Sequence, residues 1–233
     1  MIRANLSAVR ERVAAAALRA GRSPYDVRIV VVTKDVEVES VRAALELGVL
    51  DVGENRVKEG VAKRAALSTD FPAVRWHMIG HLQTNKARKA ALEFDLVHSV
   101  DGPRVAEALS RAVEEGGRVG PLGVLLQVNV SGEGTKFGVG PGEAEALLRE
   151  VNRHPGIEVR GLMTIAPLAA DAEETRPVFR RLALLARQMR ELGLEGVSMD
   201  ILSMGMSQDY EVAISEGSNL VRIGTAVFGP RGG

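Results

Sequence analysis

The chain has 233 residues, with 30 Lys plus Arg balanced by 30 Asp plus Glu, 45% hydrophobic residues and no cysteine. Zero net charge gives no electrostatic reason to seek nucleic acid or an anionic membrane, because such binding needs a basic face that neutralises phosphates. Without cysteine there is no disulfide framework, cysteine-ligated zinc or iron–sulfur site, or thiol nucleophile.

No apolar run reaches the roughly 18 residues of a membrane span, and the N-terminus lacks an uninterrupted apolar stretch of the secretory kind, so a soluble cytoplasmic protein is expected. A single domain over residues 1–233 is expected, because barrels of about 200 to 250 residues form one unit.

Residues 2 to 22 carry Arg3, Arg10, Arg12, Arg19 and Arg22 against a lone Glu11, which superficially suits an organellar transit peptide. An ordinary amphipathic first helix with Ile2, Leu6, Val9, Val13 and Leu18 inward accounts for the pattern better. Beyond it, short β-branched runs alternate with helical patterns, as a parallel sheet with crossover helices requires. Strands are predicted at Val27–Thr33, Val49–Gly53, Arg75–Gly80, Leu96–Val100, Gly123–Val130, Val159–Ile165, Ser198–Ser203 and Leu220–Gly224. Most are near-continuous apolar runs, such as Ile29-Val30-Val31-Val32, as expected where both faces are covered.

Helices are predicted at Val38–Leu47, Asn55–Leu67, Asn85–Phe94, Pro103–Glu115, Gly142–His154, Thr175–Leu192 and Gln208–Glu216. Asp101-Gly102-Pro103 signals a turn into one of them, and Gly48, Gly193 and Gly217 stand where helices should end. Eight β/α units in this length fit a closed α/β TIM barrel, (β/α)8, better than an open doubly wound sheet. The Gly-rich Ser131–Gly142 segment and the final Gly232-Gly233 are expected to be mobile.

In such barrels the working groups lie at the C-terminal ends of the strands. The first strand runs into Thr33-Lys34, and this lysine is one of only six against 24 arginines. A lysine amine attacks an aldehyde to form an imine, which arginine does not do; position alone equally suits a solvated turn residue. Glu54 and Asn55 supply a carboxylate and an amide at the next mouth position, or else cap the following helix. His77 and His81 straddle a strand–loop break and do not share a helix face, so no metal site is expected. Leu202-Ser203-Met204-Gly205-Met206-Ser207 and Arg222-Ile223-Gly224-Thr225-Ala226 close the last two strands. Small residues and hydroxyls there suit an anion, and the loops after strands seven and eight are the usual phosphate cradle of this architecture. A ligand with both an aldehyde and a phosphate follows, with pyridoxal 5′-phosphate first and a phosphorylated aldose or ketose second.

These segments carry a resemblance. Val31-Val32-Thr33-Lys34, Gly53-Glu54-Asn55-Arg56-Val57-Lys58-Glu59, Trp76-His77-Met78-Ile79-Gly80, Leu82-Gln83-Thr84-Asn85-Lys86, Arg160-Gly161-Leu162-Met163, Leu202–Ser207 and Val221-Arg222-Ile223-Gly224-Thr225 resemble the pyridoxal-phosphate homeostasis protein family. The resemblance covers nearly the whole chain. It implies a barrel like the N-terminal domain of alanine racemase, with pyridoxal phosphate held as a Schiff base on Lys34. It also implies Asn55 near the cofactor ring, Ser203, Gly205, Gly224 and Thr225 on the phosphate, and Arg222 beside the cofactor. His77, Met163, Met204 and Ile223, inside the same motifs, complete the expected cofactor-binding set. Val52, Arg56 and His81 depart from the family pattern, in which an aromatic residue, tyrosine and proline are common.

An arginine facing the pyridine nitrogen donates but does not accept, so it disfavours the protonated ring that makes the cofactor a strong electron sink. The chain ends directly after the eighth unit, which leaves no room for the extra β-domain that supplies a racemase's second acid/base, and its tyrosines are only Tyr25 and Tyr210. The expectation is a non-catalytic carrier active in vitamin B6 homeostasis. It would be a monomer, because that β-domain contributes to dimer formation, and would pass cofactor transiently to apo-enzymes. A pyridoxal-phosphate amino-acid racemase and an imine-forming sugar aldolase are the alternatives. Lys136, in Gly134-Thr135-Lys136-Phe137-Gly138, is either a transient second imine site or an exposed loop charge.

Overall fold

The structure is a computed structural model and describes residues 1–230; Gly232-Gly233, expected to be mobile, lie outside the described residues. Eight parallel strands close into one barrel in chain order: β1 (Arg28–Val32), β2 (Asp51–Glu54), β3 (Arg75–Met78), β4 (Leu96–Val100), β5 (Leu122–Gln127), β6 (Ile157–Met163), β7 (Val197–Ser203) and β8 (Leu220–Ile223). β8 pairs back onto β1 through Val30↔Arg222 and Val31↔Ile223.

Two apolar layers explain the continuous runs. Val30, Leu96, Leu125, Met163, Ile201 and Leu220 pack against one another inside the barrel, while their neighbours Val31, Val97, Leu126, Leu162 and Val221 belong to the layer between strands and helices. Successive strand residues point to opposite faces, so a strand buried on both needs no polar alternation.

The helices are α1 (Ile2–Arg19), α2 (Val38–Glu46), α3 (Val57–Leu67), α4 (Ala87–Glu93), α5 (Pro103–Gly116), α6 (Ala144–Val151), α7 (Arg176–Glu191), α8 (Tyr210–Ser215) and α9 (Thr225–Phe228). Gly48, Gly193 and Gly217 adopt positive φ just past helices, as anticipated. In α1 the buried stripe is Leu6, Val9, Val13, Ala16 and Ala17. Leu18 was expected inward and is instead 64% exposed, because five residues beyond Val13 lie on the opposite side of a 3.6-residue turn. The basic residues of α1 are tied down: Arg10 donates to the Leu47 and Gly48 carbonyls, and Arg12 and Arg19 pair with Glu211 of α8.

Several differences from sequence lie at the mouth. β3, β5 and β6 end at Met78, Gln127 and Met163 rather than at Gly80, Val130 and Ile165, and α3 begins at Val57 rather than Asn55. In each case the residues at issue join the mouth loops. Among the described residues no helix is long and apolar enough to cross a membrane.

Candidate functional site

β1 delivers Thr33 and Lys34 to the mouth, and a polar cluster beneath fixes the turn. Thr33 Oγ1 donates to Glu54 Oε1 at 2.5 Å. Lys63 Nζ, reaching up from α3, donates to the Thr33 carbonyl at 2.5 Å, to Glu54 Oε1 at 2.9 Å and to Glu59 Oε1 at 2.6 Å. Burial pushes the Glu54 carboxyl up, opposed by the bonds from Thr33 and Lys63. Glu54 is therefore a strut and not a helix cap. Asp35, directly after Lys34, sits at φ 55, an unusual conformation for a residue with a side chain. It is held by its N–H to Glu59 Oε1 at 2.7 Å and by Arg56 Nη1 to its Oδ1 at 2.8 Å.

Lys34 opens onto a cavity of about 850 Å³ with Asn55, Ile79, Arg222, Gly224 and Thr225 among its walls. Asn55 Oδ1 is buried with no hydrogen-bond partner among the described residues. Its loop packs so closely under the third one that a Cβ on Gly80 would meet the Asn55 carbonyl oxygen at 2.4 Å.

The loops after β7 and β8 form the facing wall. Met206, Ser207, Gln208, Gly224, Thr225 and Ala226 line it. The Arg222 N–H donates to the Gly205 carbonyl, Met206 N–H to Asp209 Oδ1 at 2.6 Å, and Ala226 N–H to Ser207 Oγ at 3.4 Å. Gly205 has φ +94, and a Cβ there would lie 2.6 Å from the Ala213 Cβ and 2.9 Å from the Tyr210 Cα. Only glycine lets the β7 exit pass this close to α8.

Arg222, on β8, is 4% exposed. It donates from Nη1 to Ser203 Oγ at 2.5 Å and from Nη2 to the Thr164 carbonyl at 2.9 Å. Burial pushes the guanidinium down to about 10, opposed by the Asp209 charge, so it remains cationic at neutral pH. Beneath it runs a buried polar thread: Ser203 Oγ to His98 Nδ1 at 2.9 Å, His98 Nε2 to His77 Nδ1 at 3.0 Å, and His77 Nε2 to Asp51 Oδ1 at 2.9 Å. Arg75 closes the far end on Asp51 at 2.6 and 2.7 Å.

Of the residues expected at the cofactor, Lys34, Asn55, Arg222, Gly224 and Thr225 share the cavity wall. The others do not line it. His77 and Ser203 lie in the thread within the barrel, Met163 in the inner core, and Met204 and Ile223 in the layer under the helices. Gly205 contributes its carbonyl to Arg222. Ser207 does line the wall; its signal is a hydroxyl at the end of a glycine loop. Ile165, Pro167, Leu168, Ala169 and Ala170 after β6 form another side, and an apolar loop carries no comparable mark.

The departures from the family pattern also find places. Val52 is buried under the helices, Arg56 holds Asp35, and the His81 ring stacks on Phe137 at 3.7 Å and 9°. That stack, with the Val139 N–H to Gln127 carbonyl bond at 3.0 Å and Asn129 N–H to Val139 carbonyl at 2.9 Å, ties down the Ser131–Gly142 loop. Lys136 there pairs with Glu133 at 2.9 Å and lines a side pocket with Phe137 and Ile165. Among the described residues no cluster of His, Asp and Glu is placed to hold a metal ion.

The fold and site define a closed (β/α)8 barrel with a lysine at the first mouth position and loop backbone at the seventh and eighth. The sequence matches the family described as "Alanine racemase, N-terminal domain" over residues 4–232. It is 43% identical over 228 residues to a protein of Pseudomonas aeruginosa named pyridoxal phosphate homeostasis protein, covering 97% of this chain and 94% of that one. The like-named protein of Aquifex aeolicus is 41% identical, over 97% and 96% of the two chains. Among solved structures, PipY of Synechococcus elongatus with PLP bound superposes with a TM-score of 0.83 at 35% identity, covering 98% of this chain and all of that one. The chain therefore belongs to the pyridoxal phosphate homeostasis protein family. Alanine racemase of Clostridium difficile, at 18% identity and TM-score 0.69, shares the fold and spans further sequence, the match covering 57% of that protein.

Proposed function

We propose that this chain, one domain over residues 1–233, binds pyridoxal 5′-phosphate at the barrel mouth and serves cytoplasmic vitamin B6 homeostasis as a reversible, non-catalytic carrier. The observation that carries the reading is the convergence of Lys34, the unpartnered Asn55 Oδ1, Arg222 and the β7 and β8 loops on one cavity of about 850 Å³. That volume lies within the range of about 300 to 1,000 Å³ usual for small-molecule sites.

When bound, the cofactor supplies an aldehyde carbon that condenses with a lysine amine, releasing water, and a phosphate that needs donors. Lys34 is the amine, on a turn that Glu59, Lys63 and Arg56 hold rigid. The Thr225 and Ser207 hydroxyls and the backbone of Gly224 line the wall suited to the phosphate. Arg222 is a fixed cation that donates and does not accept, which opposes ring protonation and strong electron withdrawal. Neither tyrosine reaches the cavity: Tyr25 is exposed before β1, and Tyr210 is buried in α8 beneath Arg12. A carrier needs capture and release, and nothing in this wall adds a second acid/base tyrosine.

The test is transfer against turnover. Loaded protein is expected to reactivate an apo-enzyme that needs pyridoxal phosphate while leaving L-alanine optically unchanged. Racemisation on the order of 1 per second or faster would establish the racemase alternative instead.

A further inference from the structure

The polar thread crosses a barrel interior that is otherwise apolar at Val30, Leu96, Leu125, Met163, Ile201 and Leu220. Its two ends dictate its direction. A guanidinium only donates and a carboxylate only accepts. For two neutral rings the ends admit one sense for each bond: Arg222 to Ser203 Oγ, Ser203 O–H to His98 Nδ1, His98 Nε2–H to His77 Nδ1, and His77 Nε2–H to Asp51 Oδ1. His98 is fully enclosed, and burial, reinforced by the positive charge of Arg222 and Arg28, drives its pKa well below 6.5, so the ring is neutral.

Ser203 has one proton. Spending it on His98 leaves its oxygen lone pairs for Arg222, and this bond together with the Thr164 carbonyl commits two of the five guanidinium N–H groups. The plane and rotamer of Arg222 are set from below, independent of anything in the cavity above.

We propose that His98 is a positioning residue for Arg222: acting through Ser203, it holds the guanidinium in one orientation at the cavity floor, with His77 and Asp51 selecting the ring nitrogen that carries its proton. Its consequence for ligand binding rests on the reading of the cavity as a pyridoxal-phosphate site; the positioning itself does not.

The test uses the full chain without ligand, then with pyridoxal phosphate. The protein has four histidines, so a long-range ¹H–¹⁵N spectrum resolves their tautomers. His98 and His77 are expected to be protonated at Nε2 and bare at Nδ1. His98→Leu removes the acceptor for Ser203, whereas His98→Asn keeps one, since the asparagine Oδ1 falls near the place of Nδ1. The Arg222 Nε–H signal is expected to move in His98→Leu and to return toward its wild-type position in His98→Asn. Pyridoxal-phosphate affinity, read by absorbance titration, is expected to fall about tenfold in the leucine variant and less than about threefold in the asparagine variant. A His98 ring protonated at Nδ1, or an Arg222 signal unmoved in both variants, would overturn the proposal. If His98→Leu does not fold, the tautomers and the asparagine variant decide it. Wild-type protein that fails to bind pyridoxal phosphate would sink the carrier reading and leave the tautomer and Arg222 results standing.

Discussion

Lys34 owes its stance to the residue that follows it. Asp35 at φ 55 costs on the order of 1 kcal/mol, and the Glu59 carboxylate, which also takes the buried Lys63 amine, offsets that cost. Glu59→Ala takes the partner from the Asp35 N–H and one of three acceptors from Lys63. It is expected to lower stability by about 2 kcal/mol in urea unfolding and to weaken pyridoxal-phosphate binding; a variant unchanged in both would show that the turn holds itself. His98 and Asp51 give the thread a pH signature. His98 is neutral in the fold and titrates at about 6.5 when unfolded, so below that pH the unfolded chain takes up a proton that the fold refuses, and stability falls. Asp51 adds a second loss. Its burial favours the neutral acid, but bonds from His77 and Arg75 outweigh that and hold its carboxyl at about 2 against 3.8. Its contribution, on the order of 2 kcal/mol, is present above about pH 4 and vanishes as pH falls towards 2. Denaturation midpoints across pH 2 to 8 are expected to show both phases, with the upper one absent in His98→Asn and the lower one absent in Asp51→Asn.

At the scale of elements, the mouth is where strand, turn and helix must agree. Gly205→Ala would drive a Cβ into α8 at Ala213 and Tyr210 from a positive φ, and is expected to cost at least about 2 kcal/mol and to spoil the β7 wall. Near wild-type stability would show that the loop yields. Strand existence was readable because apolar runs buried on both faces leave an unbroken signature, as in Ile29–Val32. Strand ends at the mouth were not, because Ile79, Val128 and Ile165 continue the apolar run past the last strand residue, and the Ile79 and Val128 N–H groups still donate to Glu54 and Met163 on the neighbouring strands. α9 escaped because four residues carry no helical period. Lys34 and Asn55, just past β1 and β2, and Arg222, inside β8, stand out through the family motifs rather than by position alone, whereas Ser203 reads as a mouth hydroxyl and proves to face into the barrel, since β7 runs on through it. The His77–His98 contact joins residues 21 apart on adjacent strands, a register that no local pattern discloses.

For the whole molecule, closure of eight strands brings Lys34 and Arg222, Gly224, Thr225 and Ala226 to one cavity although they stand at opposite ends of the chain. Similarity to alanine racemase at 18% identity fixes the barrel and not the chemistry at its mouth. That chemistry turns on one amine. Borohydride reduction of the protein mixed with one equivalent of pyridoxal phosphate, followed by peptide mass mapping, is expected to place a single phosphopyridoxyl group on Lys34 and none on Lys34→Ala. A label found on Lys136 or another surface lysine while Lys34 stays unmodified would contradict the account.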